Sequence, residues 1–66
     1  MPRNTRDWSK REIDRAINNL DWSGKHLNAM EETYREQHPE IANQLMDAMN
    51  AIAAIMRYLK ELKAIY

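Results

Sequence analysis

The chain has 66 residues and a mass of 7.9 kDa, the size of one small domain, so a large private hydrophobic core is excluded. It contains no cysteine, which excludes a disulfide framework and a thiolate metal site. Ten Lys and Arg side chains balance ten Asp and Glu, so the net charge does not indicate binding to nucleic acid or to an anionic membrane.

The residue composition favours helices throughout. One Gly, two Pro and no Phe accompany abundant Ala, Leu, Met, Glu, Lys and Arg, which are good helix formers, and 44% hydrophobic residues is too many for a disordered chain. No apolar stretch approaches the roughly 20 residues of a membrane span, and residues 1–7 lack the apolar segment of a signal peptide. The sequence therefore predicts an all-α, cytoplasmic protein without a membrane partner.

The first helix is predicted over about residues 9–36, after a short N-terminal arm of residues 1–8. Ser9 and Glu12 form a capping-box pattern at its start. Spacings of four and three then mark one face, which consists of Ile13, Ile17, Leu20, Gly24, Leu27, Glu31 and Tyr34. A break near Gly24 is the alternative to one continuous helix, but the heptad phase runs unbroken through Gly24 and favours continuity.

A turn is predicted at His38-Pro39, because proline disfavours helical geometry in the preceding residue and suits the first position of a helix. The second helix is predicted over about residues 39–66. Its apolar face consists of Ile41, Leu45, Ala48, Ile52, Ile55, Leu59, Leu62 and Tyr66. Two helices of matched length with a short connection predict an antiparallel helical hairpin, a single domain of residues 9–66. One long helix kinked at Pro39 is the competing arrangement.

The second helix carries more apolar surface than a two-helix hairpin can cover. A second stripe of Ala42, Met46, Met49, Ala53 and Met56 lies beside the first. Because a helix that is apolar on several sides must be covered on several sides, the sequence predicts a homodimer, in which two hairpins form a four-helix bundle. The predicted dimer interface consists of Leu45, Met46, Met49, Ile52, Ala53, Ile55, Met56 and Leu59, with Ile52 and Ile55 in its deepest layer.

Charge is sorted along the predicted hairpin. Residues 1–15 carry five basic and three acidic side chains, residues 16–50 carry two and six, and residues 51–66 carry three and one. The open end therefore has a net charge of +4 and the turn end −4. Basic residues near a helix start oppose the helix dipole, which indicates a binding role for them. With two tryptophans of the type enriched at hot spots, the predicted partner-binding residues are Trp8, Lys10, Arg11, Arg15 and Trp22.

No sequence pattern indicates catalysis, a metal or a cofactor. His26 and His38 lack a ligand spacing, and no phosphate loop or nucleophile elbow is present. The predicted function is a small non-enzymatic protein-binding module, a dimeric regulator or inhibitor of a larger host protein, of the kind encoded by phages and mobile elements. A nucleic-acid binding regulator that uses the basic open end is the alternative, and a structural assembly subunit is a third possibility.

Overall fold

A computed structural model describes residues 5–66, which form two helices packed against each other as an antiparallel hairpin. Helix α1 spans Thr5–Tyr34 and helix α2 spans Pro39–Ile65. The hairpin is 56 Å long and only 16 by 11 Å across, and no strand occurs within these residues. The prediction of an all-α helical hairpin is confirmed.

Helix α1 begins four residues earlier than the capping pattern predicts. Thr5 is its first residue, so Ser9 lies inside the helix and does not cap it, and residues 5–8 of the predicted arm are helical. Residues 1–4, the rest of that arm, lie outside the described residues. Asp7 lies in the first turn, where a carboxylate complements the positive end of the helix dipole. The helix ends at Tyr34, two residues before the predicted end.

Gly24 lies in the interior of one continuous helix, as the unbroken heptad phase predicts. Its φ angle is not positive, so the backbone makes no special demand for glycine there. Apart from its two chain neighbours and the nearby backbone of its own helix, a Cβ atom placed on Gly24 meets no atom within 4 Å. Glycine is therefore required at this position neither for a sharp turn nor for a close approach of the two helices.

The connection between the helices is four residues long, residues 35–38, and is followed by Pro39, the predicted first residue of the second helix. The His38 backbone N–H donates to the Tyr34 carbonyl oxygen at 2.8 Å, which closes the last turn of α1. Pro39 takes the first helical position of α2, where a missing N–H costs no hydrogen bond. The His38 carbonyl oxygen accepts from the N–H groups of Ile41 and Ala42 at 3.0 and 3.1 Å. The start of α2 at Pro39 agrees with the prediction.

The interface between α1 and α2 is a narrow seam of half-buried side chains. On α1 these include Ile13, Ile17, Leu20, Leu27 and Tyr34, and on α2 Ile41, Leu45, Ala48, Met49, Ile52, Met56, Leu59 and Leu62. Within the described part of the chain only Glu31 and Ala42, each 4% exposed, are fully buried. The accessible surface is 5242 Å², against about 4,400 Å² for a compact monomer of this mass. A single hairpin therefore leaves much apolar surface in contact with water.

Helix α2 departs from the predicted face at Ile55. That residue is 48% exposed, whereas Met56 is half-buried beside Ile52 in the seam. A step of four residues from Ile52 turns the helix about 40° past a full turn, and a step of three stops about 60° short. Met56 therefore stays closer to α1 than Ile55 does. Tyr66, also predicted on this face, is 43% exposed and lies just beyond the end of α2 at Ile65.

Candidate functional site

Four of the five predicted partner-binding residues form an exposed stripe on α1, which we call the outer stripe: Trp8, Arg11, Arg15 and Trp22. Trp8 is 54% exposed and Trp22 is 60% exposed, and both arginines are exposed. The two tryptophans and Arg15 follow one another at intervals of seven residues, so they lie near one line along the helix.

The outer stripe faces away from α2. Arg15 is two residues from both Ile13 and Ile17, which are half-buried in the seam. Two residues turn an α-helix by about 200°, so Arg15 lies on the face opposite the seam. The same argument places Lys10 apart from the stripe, because it is two residues from Trp8 and is half-buried. The structure therefore groups four of the predicted residues and separates the fifth.

Basic and aromatic neighbours surround the ring of Trp22. The Lys25 ammonium nitrogen lies 5.0 Å from the Trp22 ring centroid, within the range of a cation–π contact. Lys25 also pairs with an Asp21 carboxylate oxygen at 3.3 Å. The ring of His26 lies 6.2 Å from that of Trp22, centroid to centroid. These contacts steady the indole ring while it stays accessible to a partner.

Arg15 makes one weak contact within its own helix. Its guanidinium lies 3.4 Å from a Glu12 carboxylate oxygen, and the Arg15 side chain is 77% exposed. Surface pairs of this kind contribute about 0 to 1 kcal/mol. Arg15 can therefore exchange Glu12 for a carboxylate or phosphate of a partner at little cost.

The predicted dimer-interface residues divide into two groups. Five of them are half-buried in the hairpin itself: Leu45, Met49, Ile52, Met56 and Leu59. Met46, Ala53 and Ile55 remain exposed. Ala53 and Ile55 are two residues apart and therefore lie on opposite flanks of α2. One second copy packed on a single flank cannot contact both of them.

Helix α2 carries an exposed apolar stripe that the sequence analysis did not single out, the α2 stripe: Ala51, Ile55, Tyr58, Leu62 and Ile65. Ile55 is 48% exposed, Tyr58 63% and Ile65 78%. Ala51 is exposed, and Leu62, which is half-buried, lies where the stripe borders the seam. The spacing alternates between four and three residues, the signal of a helix-packing face. A search for a second heptad phase in α2 could have found it.

A groove of about 370 Å³ lies between the helices beside Gly24. It opens there because Gly24 has no side chain to fill the space opposite Met49 and Met56. Its polar wall includes Asp21 and Lys25, which neutralise each other as an ion pair. Among residues 5–66 no three His, Cys, Asp or Glu side chains are placed to hold a metal ion.

One charged residue lies in the seam itself. The side chain of Glu31 is 6% exposed and accepts two hydrogen bonds from Arg35, whose side chain is 62% exposed. These hydrogen bonds lower the pKa of Glu31, against the opposing effect of burial, and Glu31 in turn raises the pKa of Arg35. The pair is a structural contact near the turn, far along the hairpin from the outer stripe.

No known protein family, curated protein or solved structure gives a significant match to this chain. Within residues 5–66 neither helix has an apolar segment long enough to cross a bilayer. The surfaces of the hairpin are thus the basis for assigning a function.

Proposed function

We propose that this protein is a small non-enzymatic binding module, a dimeric regulator or inhibitor of a larger protein, of the kind that phages and mobile elements encode. The observation that carries the proposal is the outer stripe. Its two tryptophans and two arginines lie on the face of α1 opposite the seam, outside the packing of α1 against α2. Trp and Arg are among the residues most enriched at binding hot spots.

The dimensions and charge of the outer stripe indicate the chemistry of its partner. Trp8 and Trp22 are fourteen residues apart, a distance of about 21 Å along a helix, with Arg11 and Arg15 between them. A standard interface buries about 800 Å² on each partner. One exposed helix face of this length can supply much of that area. The complementary surface has two apolar pockets with carboxylates between them.

Self-association is part of the proposal and is supported by the apolar surface of α2. Ile55, Tyr58 and Ile65 are all about half exposed or more. Full burial stabilises a large aliphatic side chain by about 1.5 to 3 kcal/mol, which is a large share of the stability of a small domain. A second copy that covers these side chains would therefore stabilise the fold as well as the assembly.

Nucleic-acid binding through the same stripe is the second candidate. The observation that favours it is the alternation of exposed arginines, which can contact phosphates, with exposed indole rings, on which bases can stack. Acidic residues on the same turns work against it, since Glu12 already pairs with Arg15 and the chain has zero net charge. A protein partner fits this mixed surface better.

Affinity capture with matched variants tests the proposal. The tagged protein is used to capture partners from a nuclease-treated lysate of the organism that encodes it, in parallel with Trp22→Ala and Met46→Ala. Met46 is the control, because it is also a large exposed apolar residue, at 45%, but lies on α2 and not on the face of the outer stripe. We expect one protein to be retained by the wild type and by Met46→Ala. Trp22→Ala should weaken its binding by about 2 kcal/mol or more, with unchanged helicity.

The salt dependence of binding separates the two candidates. Phosphate contacts release counterions, so the logarithm of affinity falls with log salt by about 0.7 to 0.9 per phosphate neutralised. A protein interface anchored by Trp22 should depend on salt more weakly. Submicromolar nucleic-acid binding with a steep salt slope, abolished by Arg11→Glu with Arg15→Glu, would replace the protein partner by a nucleic acid.

A further inference from the structure

We propose that a second copy of this chain docks antiparallel on the α2 stripe, with the two-fold axis beside Tyr58. The proposal rests on the self-association proposed above and adds the face and the direction of the contact. It starts from the exposure of Ile55, Tyr58 and Ile65, which lie outside the seam with α1. From Ala51 to Ile65 the stripe is about 21 Å long, which is nearly four helical turns.

The spacing of apolar residues in the α2 stripe is nearly symmetric about Tyr58. Ile55 lies three residues before it and Leu62 four after it, while Ala51 and Ile65 lie seven residues away on either side. In an antiparallel pair centred on Tyr58, Ile55 meets Leu62 of the second copy and the small Ala51 meets the large Ile65. Small residues opposite large ones keep two helices at an even distance. A self-complementary patch of this kind is what a two-fold interface requires.

A parallel pair fits this pattern less well. Each residue then faces its own copy, so two Ile65 side chains meet at one end of the contact and two Ala51 side chains at the other. The helices would be held apart at Ile65 and leave a gap at Ala51. The order of side-chain sizes along the stripe thus favours the antiparallel direction.

The sorted charges of the hairpin favour the same direction. Residues 5–15 and 51–66, at the open end, carry seven basic and four acidic side chains, a net charge of +3. Residues 16–50, toward the turn, carry two basic and six acidic side chains, a net charge of −4. An antiparallel pair centred on Tyr58 overlaps only residues 51–65, so the two negative turn ends point away from each other, whereas a parallel pair sets the positive ends together and also the negative ends together.

Single-cysteine variants test the face and the direction, since the natural chain has no cysteine. A disulfide needs Cα atoms within about 7 Å. We expect Tyr58→Cys to cross-link to its own copy under mild oxidation. In the antiparallel pair Ala51 lies about 21 Å from its own copy, so Ala51→Cys and Ile65→Cys should not cross-link separately but should cross-link when mixed. Ala53→Cys is the control on the opposite flank of α2 and should stay uncross-linked.

Each other pattern of cross-links overturns the inference in a recognisable way. Self-cross-linking of both Ala51→Cys and Ile65→Cys would show a parallel pair. Cross-linking of Ala53→Cys without the mixed Ala51→Cys and Ile65→Cys product would place the contact on the other flank. Both outcomes leave the dimer of the proposed function intact. A wild-type monomer at micromolar concentration in light scattering would overturn the dimer and this inference together, while Trp22-dependent capture would still test the binding role separately.

Discussion

Arg35 holds the buried carboxylate of Glu31 with two hydrogen bonds, from Nε at 2.8 Å and from Nη2 at 2.5 Å. This pair explains how an acidic residue occupies a position of the seam that is otherwise apolar. A buried carboxylate is costly unless its oxygens are satisfied, and the planar guanidinium satisfies both at once. Arg35 reaches back to Glu31 from just beyond the end of α1, since it lies four residues further along the chain.

Replacing Glu31 by glutamine should destabilise the hairpin in a pH-dependent way. Because Arg35 lowers the pKa of Glu31 in the folded state below the ordinary value of 4.5, ionised Glu31 stabilises the fold above that pH. The contribution is lost as the pH falls through the lowered pKa. The melting temperatures of wild type and Glu31→Gln should therefore differ most at neutral pH and converge in acid. Glu32→Gln, at an exposed neighbour, is the control, and a difference that is constant with pH would contradict the argument.

Replacing Gly24 by alanine should stabilise the protein by about 0.5 to 1 kcal/mol. The added methyl group meets no atom within 4 Å beyond its chain neighbours and the nearby backbone of its own helix, and alanine restricts the unfolded backbone more than glycine does. Urea denaturation followed by circular dichroism measures the change. Ala29→Gly, at an exposed position of the same helix, should cost a similar amount and serves as the reverse control. Loss of stability in Gly24→Ala would mean that the groove beside it is filled in solution.

The ion pair between Lys63 and Asp14 should contribute little. It joins the two helices at the open end with a 2.8 Å contact, yet the side chains are 39% and 51% exposed. Exposed pairs are typically worth about 0.2 to 1 kcal/mol and weaken with salt. A double-mutant cycle with Lys63→Gln and Asp14→Asn measures the coupling directly. A coupling that persists undiminished in 1 M salt would show that water is excluded from this end.

Ile52 and Ile55 should respond differently to the same substitution. Ile52→Asp places a carboxylate in the seam against α1 and should destabilise the hairpin by about 3 kcal/mol or more. Ile55→Asp places it on the exposed α2 stripe, so the isolated hairpin should keep its helicity. Circular dichroism at low protein concentration compares the two. Equal loss of helicity in both variants at that concentration would mean that the hairpin does not fold without a second copy.

The main features of the fold could be predicted because they depend on local signals. Pro39 marks the start of α2, and the alternating apolar spacing from Ile13 onward marks the helix faces. The capping pattern of Ser9 with Glu12 predicts a helix start at Ser9, although the helix begins at Thr5. A capping sequence can occur inside a helix, where neighbouring residues already satisfy the backbone.

The arrangement of surfaces could be predicted only in part. The heptad rule assigned Ile55 to the seam, because over four turns a period of 3.5 and one of 3.6 differ by about a tenth of a turn or more. The exposure of each side chain in the folded hairpin shows which residue lies in the seam. Met56 is half-buried there, whereas Ile55 is exposed. The residue types Trp and Arg indicate the members of the outer stripe. The side of α1 on which Lys10 lies depends on the helix geometry, which separates Lys10 from the stripe.

The two fully buried residues of the described chain, Glu31 and Ala42, flank the turn and lie far from the open end. Local opening costs least where few side chains are buried, so in an isolated hairpin the helices should fray from Thr5 and from Ile65 inward. Backbone amides near Glu31 and Ala42 should then exchange with solvent most slowly, and those of the first turn of α1 most quickly. Trp8 belongs to the part that frays, and its capture by a partner would order that end of the helix.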